Sequence, residues 1–140
     1  MDENKELLKY IYENASMGYQ STSKLLKELR EKDNKITKSI DVIKNGYKKF
    51  KNESKKQIKG SKIDLITKIT SGIGIKSSIK KDNSDSAIAK LLIEGLTMGT
   101  TDIEVKLNRY KKNADKKIVI LASDYLAFQN DSIEHLKNYL

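Results

Sequence analysis

The sequence predicts one all-α domain over residues 1–140, folded as a four-helix bundle of two antiparallel helical hairpins. Three observations carry this prediction. Apolar residues recur at alternating spacings of three and four over long stretches, the pattern of a helix packed along its length. The chain contains no proline, which would interrupt a long helix. It also contains no cysteine, so a hydrophobic core rather than disulfides has to hold the fold.

The first two predicted helices cover about residues 3–30 and 34–58. The seam of the first is formed by Leu8, Ile11, Ala15, Gly18, Thr22, Leu25 and Leu29. The second keeps the same spacing with Ile36, Ile40, Ile43, Tyr47, Phe50 and Ser54. The break between them offers Asp33 or Asn34 as an N-cap for the second helix. So short a connection predicts that the two helices are antiparallel neighbours.

Residues 60–82 are predicted to form a long crossover that contains a short helix. The third and fourth helices follow at about 84–110 and 114–139. The third has a wide apolar face made by Ala87, Ile88, Leu91, Leu92, Gly95, Met98, Gly99, Asp102, Val105 and Leu107. The seam of the fourth runs through Ile118, Leu121, Tyr125, Phe128, Ser132, His135 and Tyr139. Two short connections around one long crossover give two helical hairpins.

The chain resembles the ferritin-like superfamily, particularly its small bacterial members of unknown function. The resemblance covers nearly the whole chain, and the stretch from Ile93 to Asp102 is similar to the third helix of such proteins. It implies di-iron chemistry, whose ligands are one glutamate from each of two helices and a Glu-x-x-His from each of the other two. This chain has a single histidine, His135, and Ser132 stands three residues before it. We therefore expect no metal site, no cofactor, no catalytic residue and no enzymatic activity.

Four polar residues are predicted to point into the bundle: Asp102, Tyr12, Tyr125 and His135. A buried carboxylate needs hydrogen bonds, and a tyrosine hydroxyl is a natural donor. A structural polar layer that fixes the register is therefore favoured over a small-ligand pocket. For His135, a role in closing the end of the bundle is favoured over a role as catalytic base or ligand, because no sequence pattern pairs it with a nucleophile.

Positive charge is concentrated in the middle of the chain. The formal net charge is +9, and residues 30–81 contain 16 Lys or Arg against 5 Asp or Glu. Lys48, Lys49, Lys55 and Lys56 are the candidate anion-binding face. An AT-rich genome would also favour lysine, and nearly all of the charge is lysine. Since arginine is scarce and no nucleic-acid motif occurs, neither nucleic acid nor a membrane surface is the expected partner.

The sequence thus favours a non-catalytic interaction or stress-associated protein of the bacterial cytoplasm. Its start does not resemble a signal peptide, and its apolar runs are far shorter than the ~20 residues that span a bilayer. The expected partner is another protein, or a second copy bound through the face that carries Gly95 and Gly99. The alternatives are a ferritin-type metal-binding protein or oxidoreductase with a non-standard site, and a lysine-rich module that binds nucleic acid or a membrane surface.

Overall fold

A computed structural model describes residues 2–60 and 82–140, and the regular structure in these two ranges is entirely helical. These two ranges contain four long helices: α1 (Glu3–Glu28), α2 (Thr37–Lys59), α3 (Asp85–Tyr110) and α4 (Lys116–Leu136), the last followed by a 3-10 turn (Lys137–Tyr139). The prediction of an all-helical fold with four long helices is confirmed for the described residues. The predicted crossover at 60–82, with its short helix, lies outside the described residues except for residues 60 and 82. None of the described helices is long and apolar enough to cross a membrane.

Helix α1 buries the seam that its spacing predicts. Its N-cap is Asp2, whose carboxylate accepts hydrogen bonds from the backbone N–H groups of Asn4 and Lys5, as is usual for an aspartate at this position. The buried hydrophobic residues are Leu7, Leu8, Ile11, Ala15, Leu25 and Leu29. Gly18 faces the ring of Tyr47 on α2, and a Cβ at Gly18 would lie 2.4 Å from that ring. This glycine therefore permits the close approach of α1 and α2.

The residues just before α2 are held by a carboxylate from another helix. It begins at Thr37, after Ile36, which has no side-chain acceptor. The carboxylate of Asp85, in the first turn of α3, accepts the backbone N–H groups of Lys35 (3.2 Å) and Ile36 (3.4 Å). The same carboxylate accepts the side-chain amide of Asn34 (2.9 Å). The prediction that Asp33 or Asn34 caps α2 is wrong, because the helix begins only at Thr37 and no side chain accepts the N–H groups of its first turn.

Helix α3 buries only part of the predicted face, including Ile88, Gly99 and Leu107. Its buried residues are Ile88, Ala89, Leu96, Gly99, Thr100, Ile103, Leu107 and Tyr110. Gly95, Met98, Asp102 and Val105, predicted to face the core, are exposed, with Met98 at 70% and Val105 at 52%. The helix carries two apolar stripes, and spacing alone does not select the one that meets α1 and α4.

The core lies between the four helices. Helix α1 packs mainly on α2, and α3 mainly on α4, while α1 also contacts α3 and α4, and α2 contacts α4. The centre holds four aromatic rings with centroids 5.1–6.5 Å apart, the distance range of favourable edge and offset contacts. These rings belong to Tyr47, Phe50, Tyr125 and Phe128. Gly46 makes room for one of them, since a Cβ there would lie 2.1 Å from Cε1 of Phe128.

Candidate functional site

The polar centre of the bundle is an amide and phenol cluster that joins α1 to α4. Tyr125 and Gln129 lie one turn apart on α4 and are fully buried. The hydroxyl of Tyr125 donates a hydrogen bond to Oδ1 of Asn14, on α1. The side-chain amide of Gln129 donates to the same oxygen, with an N–O distance of 3.2 Å. One amide oxygen of α1 thus receives two donors from α4, which fixes the register of the two helices.

The tyrosines of this region remain protonated far above neutral pH. Burial raises the pKa of Tyr125 and of Tyr47 well above the usual value near 10. Burial also raises the pKa of Tyr10, and the negative charge and hydrogen bond of Asp102 raise it further. Near pH 7 these hydroxyls are neutral hydrogen-bond donors, and they are unsuited to act as bases.

Of the four residues predicted to point inward, Tyr125 lies at the polar centre and Tyr12 is half-buried against the core. Asp102 is exposed, so its inward prediction is wrong. Its carboxylate keeps its hydration at the edge of α3, because burying a charge is costly. The tyrosine beside it is Tyr10, whose hydroxyl lies 3.4 Å from Oδ2 of Asp102 and 3.3 Å from the carbonyl oxygen of Gly99. The tyrosine that contacts Asp102 is therefore Tyr10, and not one of the two tyrosines predicted to point inward.

Sequence reasoning missed Asn14 and Gln129. Gln129 follows Tyr125 by four residues and precedes Ser132 by three, so the helical spacing that selected its neighbours also includes it. Asn14 directly precedes the buried Ala15 and is itself only half-buried, so the spacing of the apolar residues does not select it. The signal available in the sequence was the amide side chain of Gln129 at a position of the apolar seam.

A second polar cluster connects the start of α2 to the end of α4. Oγ of Ser39 lies 2.7 Å from Nε2 of His135 and 2.8 Å from the hydroxyl of Tyr139. His135 is exposed rather than inward, because it stands at the rim where α4 ends. A serine within reach of a histidine has the spacing of a nucleophile and its base. Within residues 2–60 and 82–140, however, no carboxylate orients this imidazole. The cluster joins the start of α2 to the end of α4 through hydrogen bonds.

The four lysines predicted to form an anion-binding face are all exposed on α2. They belong to a larger set, called here the lysine face: Lys38, Lys48, Lys49, Lys55, Lys56 and Lys59. Helix α2 contains eight lysines and two carboxylates, Asp41 and Glu53. The ion pairs found in the described part of the chain, Lys106–Glu6 and Lys137–Glu134, involve no residue of α2.

Metal-ligating groups do not gather anywhere in the described ranges: no set of three or more His, Cys, Asp or Glu residues is close enough to hold an ion. Asp102 is exposed, and its Oδ2 lies 3.4 Å from the hydroxyl of Tyr10. Six or so nitrogen and oxygen ligands, mostly carboxylates, are needed for two iron ions in such a bundle.

The two glycines predicted to share one interface lie in different surroundings. A Cβ at Gly99 would lie 2.2 Å from Nε2 of Gln129, so Gly99 belongs to the intramolecular packing of α3 and α4. Gly95 has no atom within 4 Å of the Cβ position. It lines a groove of about 360 Å³ between α1 and α3, together with Met17 and Met98.

The fold and the clusters above are the basis on which function can be argued for this chain. Comparison with protein-family models, with curated proteins and with solved structures finds no match to any of them.

Proposed function

We propose that this chain is a non-catalytic, ferritin-like four-helix bundle that acts by binding a partner, as an interaction or stress-associated protein of the bacterial cytoplasm. One observation carries the proposal. The polar centre consists of amide and phenol groups from α1 and α4, Asn14, Tyr125 and Gln129, which hydrogen-bond to one another. Such a centre fixes helix register and offers neither a charged ligand set nor a group that titrates near neutral pH.

Three long-range contacts support the ferritin-like arrangement. Asp85 joins the start of α3 to the start of α2. Ser39 joins the start of α2 to His135, at the end of α4. Asn4 accepts the backbone N–H of Asp115 at 2.7 Å, which joins the start of α1 to the start of α4. These contacts favour two antiparallel hairpins, α1–α2 and α3–α4, with the connection from α2 to α3 spanning the ~35 Å length of a helix.

Metal analysis tests the proposal most directly. The protein is purified without added metal and its metal content is measured, with a di-iron ferritin prepared in parallel as the control. We expect well below one transition-metal ion per chain and no acceleration of ferrous-iron oxidation. About two irons per chain, as in di-iron carboxylate bundles, would overturn the proposal in favour of a ferritin-type protein with a non-standard site.

Self-association is part of the proposal in a corrected form. Gly99 is packed against Gln129, so a second copy would use the exposed side of α3, where Gly95 and Met98 lie. Sedimentation velocity over a range of concentrations, on the unchanged chain and on Met98→Lys, tests this surface. A concentration-dependent dimer that the substitution removes supports it, and a monomer at all concentrations ends it.

A further inference from the structure

The outward side of α2 is a cationic strip whose charge is concentrated within residues 48–59, where five of the six lysines lie, with Lys38 nearer the start and the exposed Asp41 between. Residues four, seven or eleven positions apart lie on the same side of a helix, so the lysine face consists of two adjacent rows. One row contains Lys48, Lys55 and Lys59, and the other contains Lys38, Lys49 and Lys56. At a rise of 1.5 Å per residue the strip extends over about 30 Å.

This charge is not neutralised within the described part of the molecule. Helix α2 carries eight lysines against Asp41 and Glu53, and none of its lysines pairs with a carboxylate there. Several lysines are also four residues apart, as Lys51 and Lys55 are, and like charges at that spacing repel one another. The strip therefore weakens the free helix, and a bound anion would relieve the repulsion.

The surroundings of the strip favour a polyanion over a protein or a membrane. The apolar side of α2 is buried in the core, and Val42 is the one large hydrophobic residue that the helix exposes. A helix on a membrane surface inserts an apolar face into the bilayer, and α2 has none to offer. The centre of a protein interface is typically rich in aromatic residues and depleted of lysine, the opposite of this surface.

Lysine is the only cationic residue type in α2, and this determines how the helix can bind a polyanion. Arginine recognises bases through its planar fork, whereas lysine binds a phosphate as a point charge. Helix α2 contains no arginine. The scarcity of arginine and the lack of a nucleic-acid-binding motif therefore argue against recognition of bases. They do not argue against binding to the phosphate backbone of a nucleic acid. A strip of about 30 Å matches roughly one turn of a B-form duplex.

We propose that the lysine face of α2 binds the phosphate backbone of duplex nucleic acid without reading its sequence. This inference rests on the proposed function, since it names the partner class of a binding protein. It departs from the sequence-based expectation that nucleic acid is not the partner, which rested on the scarcity of arginine and the lack of a nucleic-acid motif. Electrostatic attraction needs neither, and it is favoured by the exposed lysines of α2, which form no ion pair within the described residues.

Fluorescence anisotropy with labelled duplexes of two unrelated sequences tests the proposal between about 50 and 200 mM NaCl. Equal affinity for both sequences is expected, with log K falling against log[salt] at a slope of about −4, as for four or five phosphate contacts. Replacing Lys48, Lys49, Lys55 and Lys56 by glutamine should weaken binding about a hundredfold at low salt and leave a slope near −1. The same four positions changed to arginine should retain binding.

The matched control replaces four exposed lysines on α3, in the turn after it and at the start of α4, with the same change in net charge: Lys90, Lys111, Lys112 and Lys116 to glutamine. Circular dichroism first establishes that every variant keeps its helix content. The proposal fails if the control weakens binding as much as the α2 variant does, if the unchanged chain does not bind, or if phosphatidylserine vesicles bind more tightly than the duplex at equal salt. None of these results bears on metal content, so the proposed function would stand or fall separately.

Discussion

Tyr125 combines complete burial, a hydrogen bond to Asn14 and a raised pKa. A hydrogen bond of this kind contributes about 1 kcal/mol to stability. Replacing Tyr125 by phenylalanine removes the bond and leaves Gln129 as the remaining donor to Asn14. Tyr125→Phe should therefore lower the free energy of unfolding by about 1 kcal/mol at neutral pH, measured by urea denaturation. Unchanged stability would mean that the cluster does not hold α1 and α4 in register.

The same residue predicts how the fold responds to alkaline pH. In the unfolded chain tyrosine ionises near pH 10, whereas burial raises the pKa of Tyr47 and Tyr125 in the fold. The unfolded state thus loses protons first, so the stabilisation is complete below pH 10 and is lost as the pH rises above it. Each group should lower the free energy of unfolding by about 1.4 kcal/mol per pH unit.

Urea titrations at several pH values above 10 measure this slope, with absorbance of ionised tyrosine followed in parallel. In Tyr125→Phe one of the groups is gone and the loss of stability with pH should be shallower. An identical slope in both proteins would contradict the pKa shift of Tyr125.

At the scale of helices, glycine positions separate packing from helix propensity. Gly46 and Gly95 both lie inside helices, and alanine there gains about 0.5–1 kcal/mol from propensity. At Gly46 the added Cβ would meet the ring of Phe128 at 2.1 Å, while at Gly95 nothing lies within 4 Å. Urea denaturation should show Gly95→Ala stabilised, and Gly46→Ala destabilised by about 1–3 kcal/mol through overpacking. Equal effects at the two positions would contradict the packing of α2 on α4.

The hydrogen bonds of Asp85 to the residues before α2 give a second prediction at this scale. Asp85→Ala removes the acceptor for Asn34, Lys35 and Ile36, and losing hydrogen bonds to a charged group costs about 1.5–3 kcal/mol. The matched control is Asp131→Ala, since Asp131 is exposed on α4 and such a change should stay within about 0.5 kcal/mol. Thermal and urea unfolding compare the two variants, and a similar small effect in both would show that α2 needs no acceptor from α3.

For the whole molecule, the uneven charge predicts that salt stabilises the fold. Screening weakens the repulsion within α2 as ionic strength rises, so the melting temperature should increase from low to physiological NaCl. Lys55 is four residues from both Lys51 and Lys59. Lys55→Gln removes two like-charge pairs and should gain about 0.4–1 kcal/mol at low salt, with a smaller gain at high salt. A melting temperature that falls with salt would contradict this account.

The fold was predictable where one apolar stripe dominates a helix and unpredictable where two compete. The seams of α1 and α2 could be read from spacing, because their remaining faces are strongly polar. On α3 the sequence offered Met98 and Val105 as readily as Leu96 and Ile103, and the choice depends on the helices that pack against it. The polar centre was found in part: Tyr125 follows the spacing, whereas pairing Tyr10 with Asp102 or Ser39 with His135 depends on contacts between residues about 90 apart in the chain.

The carboxylate of Asp85 makes the first two helices and the last two mutually dependent. A fragment containing residues 1–60 would lack the carboxylate that binds the residues before α2. A fragment containing 82–140 would have Tyr125 and Gln129 without Asn14. Each half should be largely unstructured in isolation, and mixing the two should restore ellipticity cooperatively, as in fragment complementation. The bundle would then be a single folding unit that neither half can nucleate alone.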